Sequence, residues 1–214
     1  MASSDFATRS HGPPDVFEVV FICTGNQARS PLAQALFRRY ADGLQIRVSS
    51  YGTEDVGGVS ALPIAIEAAV PLGVDLTSHR AGAVRHADLG SADLVVGFEP
   101  SHVANAVVEG GAPAGRTFLL GELVPLLDAT VGATDDPYER ARTRLDDADM
   151  RRVRSHRGRD AQIIADPLGK SAEVMERTAA EIDDLVRRLV SGLFDRGDEG
   201  SQEVGKKKPW WRRR

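Results

Sequence analysis

Cysteine is nearly absent from this chain, which has one thiol, Cys23, in 214 residues. A single cysteine cannot close an internal disulfide, build a multi-cysteine metal site or form a CxxC redox pair, so three classes are excluded together. Aromatics are sparse at 6%. No run of about 18 apolar residues occurs, so nothing reads as a membrane span. The opening stretch, MASSDFATRSHGPPD, lacks the apolar core of a secretory signal, and a cytoplasmic location is the expectation. Positive charge is not in surplus either. Lys and Arg total 27 against 31 Asp and Glu, a formal net charge of −4, which argues against a surface that grips nucleic acid throughout. What is present is the ordinary balance of a soluble globular protein, 42% apolar and 27% charged. The length suits one domain of about 150 to 200 residues with tails.

Strand and helix patterns alternate along the chain. Residues 1–15 read as a disordered lead-in, and Val16 to Ile22 (VFEVVFI) as a strand apolar on both faces. Ser30 to Tyr40 has helical spacing, with Ser30 as the expected cap and Pro31 at the first helical position. Further strands are expected at Ile46 to Ser50, Asp93 to Phe98 and Arg116 to Leu120, and helices at Ser60 to Val70 and Ser101 to Glu109. Ala172 to Phe194 carries one apolar stripe of a long helix. This alternation implies an α/β fold with a parallel sheet covered on both faces. Residues 130–162 are heavily charged and read as an insertion outside the core. Residues 195–214 end in KKKPWWRRR and read as a disordered basic tail.

The chemistry concentrates between the first strand and the first helix, in Cys23-Thr24-Gly25-Asn26-Gln27-Ala28-Arg29-Ser30-Pro31. Gly25 and Asn26 tolerate the positive φ values that let successive backbone N–H groups converge. Such a ring of donors at a helix start is a site for phosphate-sized anions, here lined by residues 24–30. Cys23 at its base is favoured as thiolate by those N–H groups and by Arg29. The planar fork of Arg29 can grip two phosphoryl oxygens, which a lysine cannot do. Ser30 can donate to the thiolate, and Asn26 can hold the loop through its side chain. A buried, inert Cys23 is the alternative that this context displaces. The five histidines show no metal-ligand spacing, and surface positions are expected for most of them.

These residues resemble the low-molecular-weight protein tyrosine phosphatases, with their protein arginine phosphatase and arsenate reductase relatives. The resemblance rests on CTGNQARSP at 23–31, SSYGT at 49–53 and ADPLGKS at 165–171, and spans residues 16–194 apart from 130–162. It implies a flavodoxin-like fold, a four-stranded parallel sheet between helical layers with the site at its C-terminal edge. It also implies a metal-free, cofactor-free two-step reaction through a phosphocysteine, with a phosphorylated protein as substrate.

Expelling the leaving group needs a proton donor, and the chain offers two Asp-Pro pairs. Asp136 precedes Pro137 and Tyr138 inside the charged segment. Asp166 follows an apolar approach and leads through Pro167 into the last helix, and is assigned as the acid. Where tyrosine-specific relatives carry aromatics after the Asp-Pro, this chain has Leu168 and Gly169; Val56 stands where Trp or Tyr is frequent, and Tyr51 is expected to pack beside its strand. Thr24 and the DP-x-G-x-S run at 166–171 resemble the arginine phosphatase branch. A protein arginine phosphatase and a non-catalytic phosphoprotein-binding module therefore stand beside a tyrosine phosphatase. Ala28 replaces a second loop cysteine, so oxidised Cys23 has no partner in the same molecule and disulfide-passing arsenate reduction is excluded. The tail's six cations and two tryptophans could meet an anionic membrane surface; nucleic acid is not expected.

Overall fold

The structure, a computed structural model, describes residues 16–127, 134–155 and 163–195. The expected tail at 1–15 lies outside those residues, as do 128–133, 156–162 and all of the expected tail at 195–214 except Asp195. Four parallel strands form one sheet: β1 (Phe17–Cys23), β2 (Ile46–Gly52), β3 (Leu94–Gly97) and β4 (Thr117–Leu119), in the spatial order β2-β1-β3-β4. The strand order reverses at β1, which pairs with β2 on one side and β3 on the other. In open α/β sheets the crevice beyond such a reversal is where ligands bind.

β1 shows why a central parallel strand needs apolar residues on both faces. Phe17, Val19, Phe21 and Cys23 enter the larger core, while the alternating Val20 and Ile22 enter a smaller one with Val84, Leu89, Val95 and Ala106. The smaller core is covered by α3 (Pro100–Val108). The larger is covered by α1 (Arg29–Tyr40), α2 (Pro63–Ala69), α4 (Leu120–Leu127), α5 (Pro137–Ser155) and α6 (Ala172–Phe194). Helices on both faces match the expected flavodoxin-like layering, and α6 has the bounds expected from its stripe. The expected helix over 60–70 is shorter, running on through a 3₁₀ turn at Val70–Leu72 to Gly73, whose φ of 69° terminates it. α4 was not foreseen. It starts directly after β4 and buries Leu120, Leu123, Val124 and Leu127.

The charged segment corrects the expectation that 130–162 lies outside the core. Residues 137–155 form α5, and Ala141, Leu145 and Ala148 on one side of it are fully buried. Tyr138 joins them, its ring edge-on to Phe194 at 6.3 Å between centroids. Three small or aliphatic residues at steps of four and three suffice for a stripe, and the dense charge around them hid it. The arginines are accommodated because their guanidinium groups find oxygen. Arg144, 7% exposed, donates to the Gly192 and Leu193 carbonyls at the end of α6 and to Asp195 at 2.6 Å. Those carbonyls would otherwise be the unsatisfied end of a helix. Arg142 donates to Asp93 at 2.7 Å, and the other oxygen of Asp93 accepts the Glu18 N–H at the start of β1. α5 is therefore tied to both the sheet and the last helix. Among the described residues, no helix is long and apolar enough to cross a membrane.

Candidate active site

The segment joining β1 to α1 is pinned from three directions. Asn26 is fully buried at φ 52°, the left-handed conformation expected within the loop, and it is Asn26 rather than Gly25 that adopts it. Its Nδ2 donates to the Ser30 and Ser50 hydroxyls, each at 2.9 Å, and its Oδ1 accepts the Gly82 N–H at 2.9 Å. His79 Nε2 meets the Asn26 carbonyl at 2.7 Å. Gly52, the residue paired with Cys23, lies so close beneath the loop that a Cβ there would stand 2.6 Å from the Thr24 carbonyl oxygen. Only glycine fits that approach.

Held in this way, the loop leaves its donors unspent. The backbone N–H groups of Gly25, Asn26, Gln27 and Ala28 donate to no acceptor among the described residues. Four consecutive free donors at the start of a helix form an anion cradle. α1 begins at Arg29, one residue earlier than expected, with Ala28 as its N-cap and no side-chain cap. Ser30 is thus not the cap. Its hydroxyl turns inward, 2.9 Å from Cys23 Sγ. Ser30 Oγ accepts from Asn26, and its own hydrogen has two acceptors in reach, the sulfur at 2.9 Å and the Tyr51 carbonyl at 3.4 Å, of which the sulfur is the nearer. Cys23 is 3% exposed and is the sole cysteine.

Arg29 is 1% exposed and makes contacts from both terminal nitrogens. Nη1 donates to Glu99 and, at 2.9 Å, to the Ile164 carbonyl; Nη2 donates to Thr24 Oγ1 at 3.2 Å and to Asp166 Oδ2 at 2.5 Å. The guanidinium also lies 5.9 Å from the Phe98 ring centroid. Asp166 is further fixed by the Leu168 N–H on its Oδ1, at 2.9 Å. Of the two Asp-Pro pairs, therefore, Asp166 meets the loop. Asp136 instead accepts the Tyr138 N–H at 2.8 Å and the Arg140 N–H through its carbonyl, capping α5. Leu168 is 61% exposed, Val56 approaches Gly25, and Tyr51 packs against the smaller core as expected.

Two residues at the site were not foreseen. Glu99 and His102 lie just beyond β3, the strand beside β1. His102 is an exception to the surface positions expected for most histidines: it is 1% exposed, with Nδ1 against the Phe98 and Glu99 N–H groups and Nε2 against Thr24 Oγ1. Burial, aided by the Arg29 charge and opposed by Glu99 and Asp166, pushes its pKa down from 6.5 to about 4. Burial also lowers the pKa of His79. An unfolded chain protonates these rings near pH 6.5, whereas the folded one holds His102 neutral down to about 4. Between those values the unfolded state binds more protons, so stability falls as pH falls. From His102 alone the unfolding free energy should drop by about 2 kcal/mol between pH 7 and 4.5. Urea titrations at the two pH values check this, and the drop should shrink in His102→Asn. An equal drop in that variant would falsify the assignment. No group of three or more His, Cys, Asp or Glu side chains able to hold a metal ion occurs among the described residues.

Known proteins are similar to this chain in sequence and fold. Residues 18–154 match the family model described as low molecular weight phosphotyrosine protein phosphatase. A protein-arginine-phosphatase of Bacillus subtilis is 27% identical over 178 residues, covering 82% of this chain and 96% of that protein. A probable low molecular weight protein-tyrosine-phosphatase, EpsP, of Ralstonia solanacearum is 30% identical over 130 residues, covering 61% of this chain and 84% of that one. Among solved structures, a low molecular weight protein tyrosine phosphatase from T. tengcongensis superposes with a TM-score of 0.61 at 27% identity, over 83% of this chain and 99% of that one. The family match runs through α5 almost to its end, so the charged segment is counted within the shared fold. With the family model matched over residues 18–154, well over half of the sequence, the chain belongs to the low molecular weight phosphotyrosine protein phosphatase family.

Proposed function

We propose that this protein hydrolyses phosphorylated proteins through a phosphocysteine, with Cys23, Arg29 and Asp166 as its catalytic residues. The observation that carries this reading is the row of four loop N–H groups between Cys23 and Arg29 that donate to no acceptor among the described residues. The Cys23 thiolate attacks phosphorus, the bond to the leaving atom breaks, and Asp166 supplies that atom with a proton. The phosphoryl oxygens rest on the loop amides of residues 24–29 and on Arg29. Asp166, now a carboxylate, takes a proton from water as the water attacks phosphorus. Phosphate leaves, and Ser30 donates to the released sulfur. Asp166→Asn should lower kcat/KM by about 10²- to 10⁴-fold. Asp136→Asn should leave the rate within about twofold, since Asp136 caps a helix at which Asn serves almost as well. Equal losses in the two variants would reverse the assignment.

Arginine phosphatase activity is the second reading. Two observations favour it: of the two sequence relatives given above, the protein-arginine-phosphatase is matched over the longer stretch, 178 residues against 130, and the residue after Asp166-Pro167 is the exposed Leu168 rather than an aromatic that could stack on a phenol. Comparing kcat/KM on phosphoarginine and phosphotyrosine peptides decides between them. The basic tail at 206–214 is assigned a separate task, contact with an anionic membrane surface. Its six cations leave the remainder of the chain at −10, and each is worth about 1 kcal/mol near an anionic leaflet. Deleting 206–214 should abolish co-sedimentation with phosphatidylserine vesicles; unchanged sedimentation removes the idea.

A further inference from the structure

Thr24 directly follows the nucleophile, and its hydroxyl oxygen is met from two sides, by His102 Nε2 at 3.1 Å and Arg29 Nη2 at 3.2 Å. The imidazole's other nitrogen settles which atom donates. Nδ1 lies 3.3 Å from the Phe98 N–H and 3.2 Å from the Glu99 N–H, and both are obligate donors. Nδ1 therefore carries the lone pair and Nε2 the hydrogen. The ring is neutral, its pKa pushed down to about 4 by burial, so this tautomer persists at ordinary pH. Arg29 can only donate. Thr24 Oγ1 thus accepts two hydrogen bonds, which uses both of its lone pairs and leaves its own hydrogen to point elsewhere. No acceptor among the described residues takes that hydrogen. The same Arg29 nitrogen also donates to Asp166 Oδ2, so the Thr24 hydroxyl and the Asp166 carboxylate flank one guanidinium nitrogen.

We propose that His102 is a positioning residue that locks Thr24 as a double acceptor and so aims the Thr24 hydroxyl at the leaving atom of the phosphoryl substrate. This rests on the phosphatase reading above. During formation of the phosphocysteine the bond from phosphorus to the leaving atom breaks and Asp166 transfers its proton there. Thr24 adds a hydrogen bond to the same atom and transfers no proton. A free hydroxyl would sample several rotamers and have to reorient as charge develops. One fixed by His102 is already oriented, and donors that need no reorganisation are the ones that stabilise a transition state most. The network crosses the sheet edge: the backbone after β3 fixes His102, His102 fixes Thr24, and Thr24 stays half-buried in the loop after β1.

Two substitutions at one position separate this role from simple capping of α3. Asparagine at 102 keeps an acceptor near the Nδ1 position but falls short of Thr24. Glutamine carries an amide N–H toward the Nε2 position. The measurement is kcat/KM, which reports the steps through phosphocysteine formation, on p-nitrophenyl phosphate and on phenyl phosphate, whose leaving group is poorer. His102→Asn should lose about tenfold on phenyl phosphate and no more than about threefold on p-nitrophenyl phosphate. His102→Gln should recover most of that loss. Thr24→Val should show the same dependence on leaving group, and adding His102→Asn to it should cost nothing further. Equal losses on the two esters, or an undiminished His102→Asn effect in the valine background, overturn the proposal. Thermal unfolding of each variant is followed in parallel, and if His102→Asn does not fold, the leaving-group dependence of Thr24→Val decides alone. The phosphatase reading fails by a different result, retained turnover in Cys23→Ser.

Discussion

Replacing Cys23 by serine is expected to lower turnover of p-nitrophenyl phosphate by at least about 10⁴-fold while leaving the protein folded. The two side chains differ little in size, and Cys23 is 3% exposed at the end of the central strand, so packing changes little. The chemistry changes more. An alcohol is not ionised near neutral pH, and Ser30, 2.9 Å away, is placed to donate to a thiolate, not to remove a proton from a hydroxyl. No general base lies against position 23 among the described hydrogen bonds to take its place. Anion binding should survive, because the Gly25 to Ala28 N–H groups and Arg29 are untouched. The combination expected is therefore lost turnover with inorganic phosphate affinity within a few-fold of the parent, read by steady-state kinetics and calorimetry. Near-parental turnover would sink the covalent mechanism.

Arg29→Lys tests whether charge alone or the planar fork is needed. Charge is retained, yet kcat/KM should fall by about 10²- to 10³-fold, the scale seen when one transition-state donor is removed. A lysine has one nitrogen, whereas Arg29 reaches Glu99 and the Ile164 carbonyl from Nη1 and Thr24 and Asp166 from Nη2. Stability should fall as well, by about 3 kcal/mol, because Arg29 is buried and its replacement strands partners. The lower end of the range for a broken buried pair applies because Glu99 and Asp166 keep 31% and 36% of their side chains exposed and can be rehydrated. Urea unfolding and kcat/KM measured together separate the two losses. Retention of activity within about tenfold would mean that the bidentate grip is not used.

The two variants probe different kinds of information. Cys23, Arg29 and Ser30 were legible in the sequence because they occupy one contiguous loop whose local rules are strong: an apolar strand, a residue able to take positive φ, a helix start with proline. Asp166 was legible for a similar reason, its approach and exit being local to one turn. Glu99 and His102 carry no such signal. FEPSH at 98–102 reads as a strand end running into a helix, and nothing in it marks a histidine destined for a buried, neutral state. α5 was misjudged because composition counts charges, whereas burial depends on where guanidinium groups find carbonyl oxygens, as Arg144 does at the end of α6.

By itself, the sequence determined the alternating architecture, and it supplied the loop proposed to hold phosphate and the cysteine proposed as nucleophile, all of which depend on residues within a few positions of one another. The tertiary structure alone decided which distant segments face that loop. Parallel strands all end at one edge of the sheet, so the residues after β1 and after β3, and the turn before α6, arrive at a common site. Which strand lies beside β1 is set by packing on both faces of the sheet, a property of the whole core and not of any local stretch. The single cysteine was readable along the chain, whereas the histidine that meets the hydroxyl of the neighbouring Thr24 became visible only once β3 was seen next to β1.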